Sequence, residues 1–387
     1  MEAPSAYTDP NGGRPPRAMQ WSITLQREVS KNLSVEAAYV GNRGAWIEAN
    51  GLIELNSITP ARLQAFGLDI NNAADRTLLT SRVDSALAAQ RGFNKVPYAG
   101  FPTSSTVAQT LRPYPQFTGI GSRLAPLGNT WYDSLQMKVT KRFSHGLELT
   151  SAFTWQKEQS TLGSTNDVFN RVNQKSLDGS SLPFVWVTSF NYTTPKFGTN
   201  RFLRLATGGW TTSGVMRYAS GALIGVPGSS NALASLIFRN TRMNRVAGEP
   251  LTTVDLNCHT CYDPQKDFVL NPKAWSDAPA GQFGVSAPYY NDYRDMRHPD
   301  EQLSLGRQFA VREHVSLSMR VEFFNVFNRL VLSGPSSGNP LSTQVRDTKT
   351  GLTTSGFGFI NTNTGLAGAT ANTFTNRSGQ LVMRLTF

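Results

Sequence analysis

The sequence predicts an all-β protein: a transmembrane antiparallel β-barrel, incomplete, with about nine strands of a larger barrel and long extracellular loops carrying some helix. Three observations predict it. Apolar and polar residues alternate with period two in runs of strand length. Tight turns and very long connections alternate along the chain. Aromatic residues gather near the ends of the runs.

The elements follow in order. Trp21, Ile23, Leu25 and Val29 alternate with Gln20, Ser22, Thr24, Gln26 and Glu28, and after the turn Ser30-Lys31-Asn32 the pattern resumes at Leu33, Val35, Ala37 and Tyr39. The unit recurs as Leu135, Met137, Val139 and Phe143, a turn at Ser144-His145-Gly146, then Leu147, Leu149, Phe153 and Trp155. A less regular pair spans 184–192 and 210–218, joined by "TPKFGTNRFLRLATGG". A third clear hairpin runs from Leu303, Leu305, Phe309 and Val311 through Arg312-Glu313-His314 into Val315, Leu317, Met319, Val321 and Phe323. The chain finishes on "SGQLVMRLTF", with Leu381, Met383, Leu385 and Phe387 on one face and Val382 the exception on the other.

Loops this long are rare in compact soluble domains, whereas barrels of outer membranes join strands of about 10 residues by short periplasmic turns and longer outer loops. The tight turns therefore mark the periplasmic side. Trp21, Trp131, Tyr132, Trp155, Trp186, Trp210 and Tyr218 read as interfacial girdles, and Arg27, Lys141 and Arg307 can snorkel from the apolar face toward headgroups. About nine strands is odd, while single-chain barrels close with an even number. The amino end, "MEAPSAYTDPNGGRPPRA", has no apolar export stretch and taken alone would keep the chain in the cytosol. Together these point to the carboxyl-terminal part of a larger barrel. Residues 1–17 are then the remnant of an extracellular loop, and 18–387 the barrel segment, with outer loops at about 42–130, 157–182, 219–300 and 329–377.

Composition narrows the classes. No run approaches the roughly 20 apolar residues of a membrane-spanning helix. The net charge of +11 is scattered, with no block of five or more consecutive basic residues, so nucleic acid is not expected as a partner. A solvated basic surface is the first reading of that charge, and an anionic membrane surface the second.

Several stretches resemble a known family. "NTWYDSLQMKVTKRFSHGLELTSAFTWQKE" looks like the recurring double strand of TonB-dependent outer-membrane receptors, in particular the Oar-like group. "RHPDEQLSLGRQFAVREHVSLSMRVEFFNVFNR" is similar to that group's penultimate hairpin, with Phe323, Phe324, Asn325, Phe327 and Asn328 in its "E-x-F-N-x-x-N" pattern. "GGWTTSGVMRYASG", "LRPYPQF" and "RSGQLVMRLTF" also fit. The resemblance implies a barrel of about 22 strands, an amino-terminal plug and a segment engaged by the TonB complex, driving uptake or export of a large ligand. Neither plug nor TonB-binding segment is visible, so TonB would be a partner only through the missing amino-terminal part. The resemblance also implies that Leu381, Met383, Leu385 and Phe387 form the signal read by the outer-membrane barrel assembly machinery. Outer-membrane lipid and lipopolysaccharide complete the expected partners.

Cys258-His259-Thr260-Cys261 holds both cysteines of the chain. Tyr262 stands where haem attachment needs a His. Zinc would need two further ligands, and His145 and His314 belong to inner turns. A loop disulfide between Cys258 and Cys261 is the leading reading, with redox or metal roles as alternatives. Gly334-Pro335-Ser336-Ser337-Gly338 spells G-x-S-x-G, in a Pro/Gly/Ser loop rather than between a strand and a helix. "GFGFIN" at Gly356 fails the dinucleotide fingerprint at its third glycine. No enzyme, cofactor, catalytic residue or metal site is expected. Thr59-Pro60 should cap and open a helical stretch through Leu63, Phe66, Leu78, Leu79, Val83 and Leu87, packing over the barrel mouth or serving as a lid. Arg239, Arg242 and Arg245 could meet anionic headgroups or an acidic ligand, or be solvated.

The function expected is that of a receptor or transporter wall in the outer membrane of a Gram-negative-type bacterium, not active alone. The rivals are a stand-alone porin or adhesin barrel and a secreted soluble β-protein that binds a polymer.

Overall fold

The structure is a computed structural model that describes residues 7–162, 166–170, 175–195, 207–258, 260–297, 299–329, 332–362 and 377–387. The turn segment 196–206, His259, the loop residues 363–376 and the Val311 side chain, all part of the sequence reading, lie outside the described residues.

Nine long strands form one antiparallel path in chain order: β1 Arg17–Ser30, β2 Leu33–Ile47, β3 Gly128–Ser144, β4 Leu147–Ser160, β5 Phe184–Thr193, β6 Trp210–Ala219, β7 Asp300–Arg312, β8 Val315–Phe324 and β9 Ser378–Thr386. A two-residue strand at Ser176–Leu177 adds to β4. Each run of alternating residues has become a strand. Among the described residues the sheet is open, because β1 pairs only with β2 and β9 only with β8. The inner turns have the backbone that tight hairpins need. His145 and Gly146 both take positive φ (51° and 83°), as does His314 at 68°. Gly146 has a second reason to lack a side chain, since a Cβ there would meet the Thr193 carbonyl, whose own N–H donates to the Gly146 oxygen.

Register places most of the large apolar residues of the nine strands on one face, with Val40, Val187, Val215 and Val382 on the other. Ile23, Tyr39, Leu135, Trp155 and Phe184 are lateral neighbours in one row, and Leu305, Val321 and Leu381 in another. This face is bare: Ile23 is 75 % exposed, Leu25 76 %, and Leu381, Met383 and Leu385 57 % each. A water-soluble domain does not leave an apolar surface of that extent uncovered, and no other element among the described residues packs on it. The opposite face carries Gln136, Lys138, Thr150, Gln156, Asn191, Ser213, Ser304 and Gln308. The soluble alternative, with these side chains buried between stacked sheets, does not describe the molecule.

The rows climb. The row that starts at Arg27, near the inner end of β1, passes through Val35, Val139, Ser151, Thr188 and Met216 and reaches Glu301 at the outer end of β7. That offset is the stagger of strands tilted to a barrel axis. Measured along each strand, Trp21, Trp155, Trp186, Tyr218 and Phe323 all stand about eight residues from the inner end, which for tilted strands is a height of roughly 20 Å. They form one aromatic girdle at the level of an apolar band's outer limit. The Trp21 indole lies over Gly41, where a Cβ would come within 2.5 Å of the ring. Arg307, on the apolar face, rests its guanidinium against Trp210 and Phe309, 5.5 and 5.0 Å from their centroids. Lys141 reaches the inner turn and donates to Ser144 Oγ at 2.6 Å.

The fully buried apolar residues lie elsewhere, in the loops beyond the outer strand ends. No helix among the described residues is long and apolar enough to cross a membrane.

Candidate functional site in the outer loops

The long connections fold together into a cap. In the β2–β3 loop, four short helices run α1 Pro60–Ala65, α2 Ala73–Thr80, α3 Ala86–Gln90 and α4 Val107–Thr110. Each is opened by a side-chain cap: Thr59, Asn72, Ser85 and Thr106 accept from the backbone N–H of Arg62, Ala74, Ala88 and Gln109. The helical stretch read from Thr59-Pro60 is present, with Leu63, Leu78 and Leu79 buried and Phe66 exposed. These helices pack against α5 Leu233–Ile237, from the β6–β7 loop, in one apolar cluster. A second cluster joins the β6–β7 loop to the β8–β9 loop through Met243, Leu270, Trp275, Tyr293, Met296 and Phe357. Trp275 and Tyr293 lie 5.4 Å apart, and burial holds the Tyr293 hydroxyl well above its ordinary ionisation range.

Polar ties fix one loop on another. Arg112 is 3 % exposed. It stacks on Phe238 at 3.9 Å, and donates from Nε to the Asn56 carbonyl and from Nη1 to Gln109 Oε1 at 2.8 and 3.1 Å. Beside it Arg239 pairs with Glu54 at 2.8 Å. Arg245 pairs with Asp292 at 2.6 Å and lies over Tyr290. Burial holds the Arg242 guanidinium below its ordinary range. For Arg239 the lipid-facing, ligand-facing and solvated readings are corrected, because its guanidinium is engaged by Glu54 within the cap. The Arg239–Glu54 pair is largely shielded from water, which strengthens it, whereas Asp292 leaves the Arg245 pair at the exposed surface of the cap.

Asp75, in α2, accepts from the Asp69 N–H at 2.9 Å and from Arg91 Nη2 at 2.8 Å. The Asp69 N–H, then Arg91, hold its carboxyl below the ordinary range. A depressed folded-state value stabilises above the unfolded value and is lost as pH falls through the folded one. The cap should therefore keep constant stability from neutral pH down to about 4 and weaken below it, the unfolded value of an aspartate being near there. Asp75→Asn should lower stability at neutral pH and flatten that acid limb, read by urea titration of the cap.

Two recesses could hold a ligand. One, of about 370 Å³, lies between the loops, with Leu63, Leu68, Ile237 and Phe283 among its apolar walls and Asp69 and Gln282 on its rim. The other, of about 380 Å³, is on the polar face of the sheet and is lined by Glu148, Thr150, Asn191, Gln302 and Glu322. Cys258 and Cys261 are joined as a disulfide with Cα atoms 5.3 Å apart, in the β6–β7 loop. His145 and His314 stand in inner turns, far along the strands from that loop, and are not brought to it. Ser336 of the G-x-S-x-G stretch pairs its backbone with Phe359 and Gly358, in an extended loop without the helix that a nucleophile elbow requires.

The "E-x-F-N-x-x-N" residues have a local task that sequence alone did not disclose. Asn325 and Asn328 adopt positive φ (50° and 51°). Asn325 accepts from the Arg329 N–H and donates to the Arg329 carbonyl, at 2.8 and 2.9 Å. The turn so formed aims Arg329 Nε at both oxygens of Glu301, at 2.9 and 2.8 Å. Asn328 Oδ1 accepts from the Arg377 N–H, one residue before β9. Leu381, Met383 and Leu385 of β9 then extend the apolar face beside Val321, Met319 and Leu317, and Phe387 is 92 % exposed.

Comparison with known proteins agrees with this architecture. A family model described as outer membrane beta barrel domain matches residues 2–380. No curated protein matches the chain. With the bare apolar face, the tilted antiparallel strands and the loops gathered on one side, the chain belongs to the outer membrane beta barrel domain family and its place is the outer membrane.

Proposed function

We propose that the chain forms the wall and outer loops of a TonB-dependent, Oar-like receptor or transporter that takes up or exports a large ligand, without enzymatic activity of its own. The observation that carries this reading is the packed cap above the strands, with its cleft between the helical loop and the β6–β7 loop. Such a cap suits a receptor mouth better than an open pore. Closure supports it too. β1 and β9 both run from the outer loops toward the inner side, so joining them to each other would make a parallel contact. An antiparallel closure takes an odd number of further strands, as a larger barrel would supply. Backbone groups left unpaired in hydrocarbon cost several kcal/mol each, so in a bilayer both edges need partners. TonB would act through an amino-terminal part, and the β9 residues Leu381, Met383, Leu385 and Phe387 would engage the assembly machinery.

The test is conductance. The chain extracted from outer membranes and added to planar bilayers should give no stable unitary current steps. Reproducible ohmic steps would transfer the reading to a stand-alone porin.

A further inference from the structure

Above the aromatic girdle, on the same side as the apolar face, the outer ends of β1–β4 carry a second set of tryptophans with cations laid on them. Trp46 sits in a bulge of β2, where the ladder with β3 shifts between Ala45 and Ile47, and its φ is 59°. A bulge re-aims a side chain. Here it presents the indole to two guanidinium groups, Arg14 at 3.1 Å and Arg17 at 4.0 Å from the ring centroid. Lys175 Nζ lies 4.4 Å from the Trp131 ring. Arg43 spans Trp21 and Asp133, 5.3 Å from the indole centroid and 3.0 Å from the carboxylate, and Tyr39 donates to the same carboxylate at 2.7 Å. Lys157 is exposed next to Asp133 in the adjoining strand.

The charge here is out of balance. In the cap, Arg82, Arg91, Arg239 and Arg245 each meet a carboxylate. At this rim Asp133 is held by Arg43 and lies within electrostatic reach of Lys175, and among the described residues Arg14, Arg17, Lys157 and Lys175 have no carboxylate within direct ion-pair distance. A guanidinium stacked on an indole keeps its N–H edge free, in a plane suited to two-point contact with a phosphate. Just below, on the same face, Ile23, Leu25 and Met137 offer bare hydrocarbon contact.

We infer that this rim binds the phosphate groups of an outer-leaflet lipid, with Arg14, Arg17, Lys157 and Lys175 holding the headgroup while the acyl chains lie along β1–β4. A free inorganic anion would use the cations and leave the apolar face unoccupied. A phosphorylated lipid uses both. The site is independent of what the cap binds or what passes through the barrel.

The test uses the full chain extracted in mild detergent from outer membranes, delipidated on a column, and offered an acylated glucosamine lipid with its phosphates or the same lipid without them, bound lipid being counted by native mass spectrometry. The variant Arg14→Gln/Arg17→Gln/Lys175→Gln should retain the phosphorylated lipid less well by on the order of tenfold or more, each cation near an anionic surface contributing comparably. A control with the same loss of charge in the loops, Lys95→Gln/Lys273→Gln/Lys349→Gln, should bind like the parent chain. Added salt should weaken the parent more than the rim variant. Arg14 and Lys175 lie outside the strands, so the double variant Arg14→Gln/Lys175→Gln keeps the test open should the triple variant misassemble. Binding by the rim variants within twofold of the parent would overturn the assignment, as would equal retention of the phosphate-free lipid or displacement of the lipid by inorganic phosphate alone.

Discussion

Met137→Arg is expected to destabilise the inserted sheet by about 3 kcal/mol, whereas Gln136→Arg, one residue away, should change it by less than about 1 kcal/mol. Met137 stands midway along β3 on the apolar face, 41 % exposed, between Ala37 and Phe153. An arginine there would place its charge near the bilayer midplane, too far from either headgroup layer to snorkel without distortion. Gln136 points to the polar face, where its amide donates to Ser134 Oγ and a longer cation meets water. The pair separates lipid contact from strand propensity, because both sites lie in one central strand with neighbours on both sides. Urea titration of the inserted form in lipid vesicles, carried to high denaturant, gives the two midpoints. Equal losses at both positions would mean that the faces are not divided between lipid and lumen.

Arg329→Ala should cost about 4 kcal/mol, the range in which a buried carboxylate is left without its cation. Glu301 is fully buried and receives Arg329 Nε on both oxygens. Truncating the arginine strands that charge, while Glu301→Gln combined with Arg329→Ala removes it and should recover about half of the loss. The double-mutant cycle, measured by the same titration, yields the coupling directly. Additive losses would reduce the Asn325–Arg329 turn to a passive loop.

What was legible in the sequence divides along solvent. Strands that face lipid on one side and water on the other must alternate, and Ile23-Thr24-Leu25 or Leu303-Ser304-Leu305 show it without help from other parts of the chain. The tight turns set the register, so the lateral rows follow from the hairpins. The cap was legible only at Thr59-Pro60, where a local capping rule applies. Its cores are assembled from residues such as Leu78, Leu236, Tyr293 and Phe357, drawn from three loops with no common period, and only folding brings them together. The partner of Arg239 is hidden from the sequence for the same reason, since Glu54 is remote along the chain. Trp46 gave no signal either, because a bulge breaks the alternation on which the reading relied.

The burial of apolar side chains in the cap, set against their exposure along the strands, has a consequence for how the molecule comes apart. Water holds the cap together and hydrocarbon holds the sheet, so mild urea opens the cap first while the sheet yields only to high urea or to harsh detergent. A two-state description then fails, and a single melting temperature names neither event. Calorimetry in bilayers should resolve two endotherms, with detergent exchange moving one and mild denaturant the other.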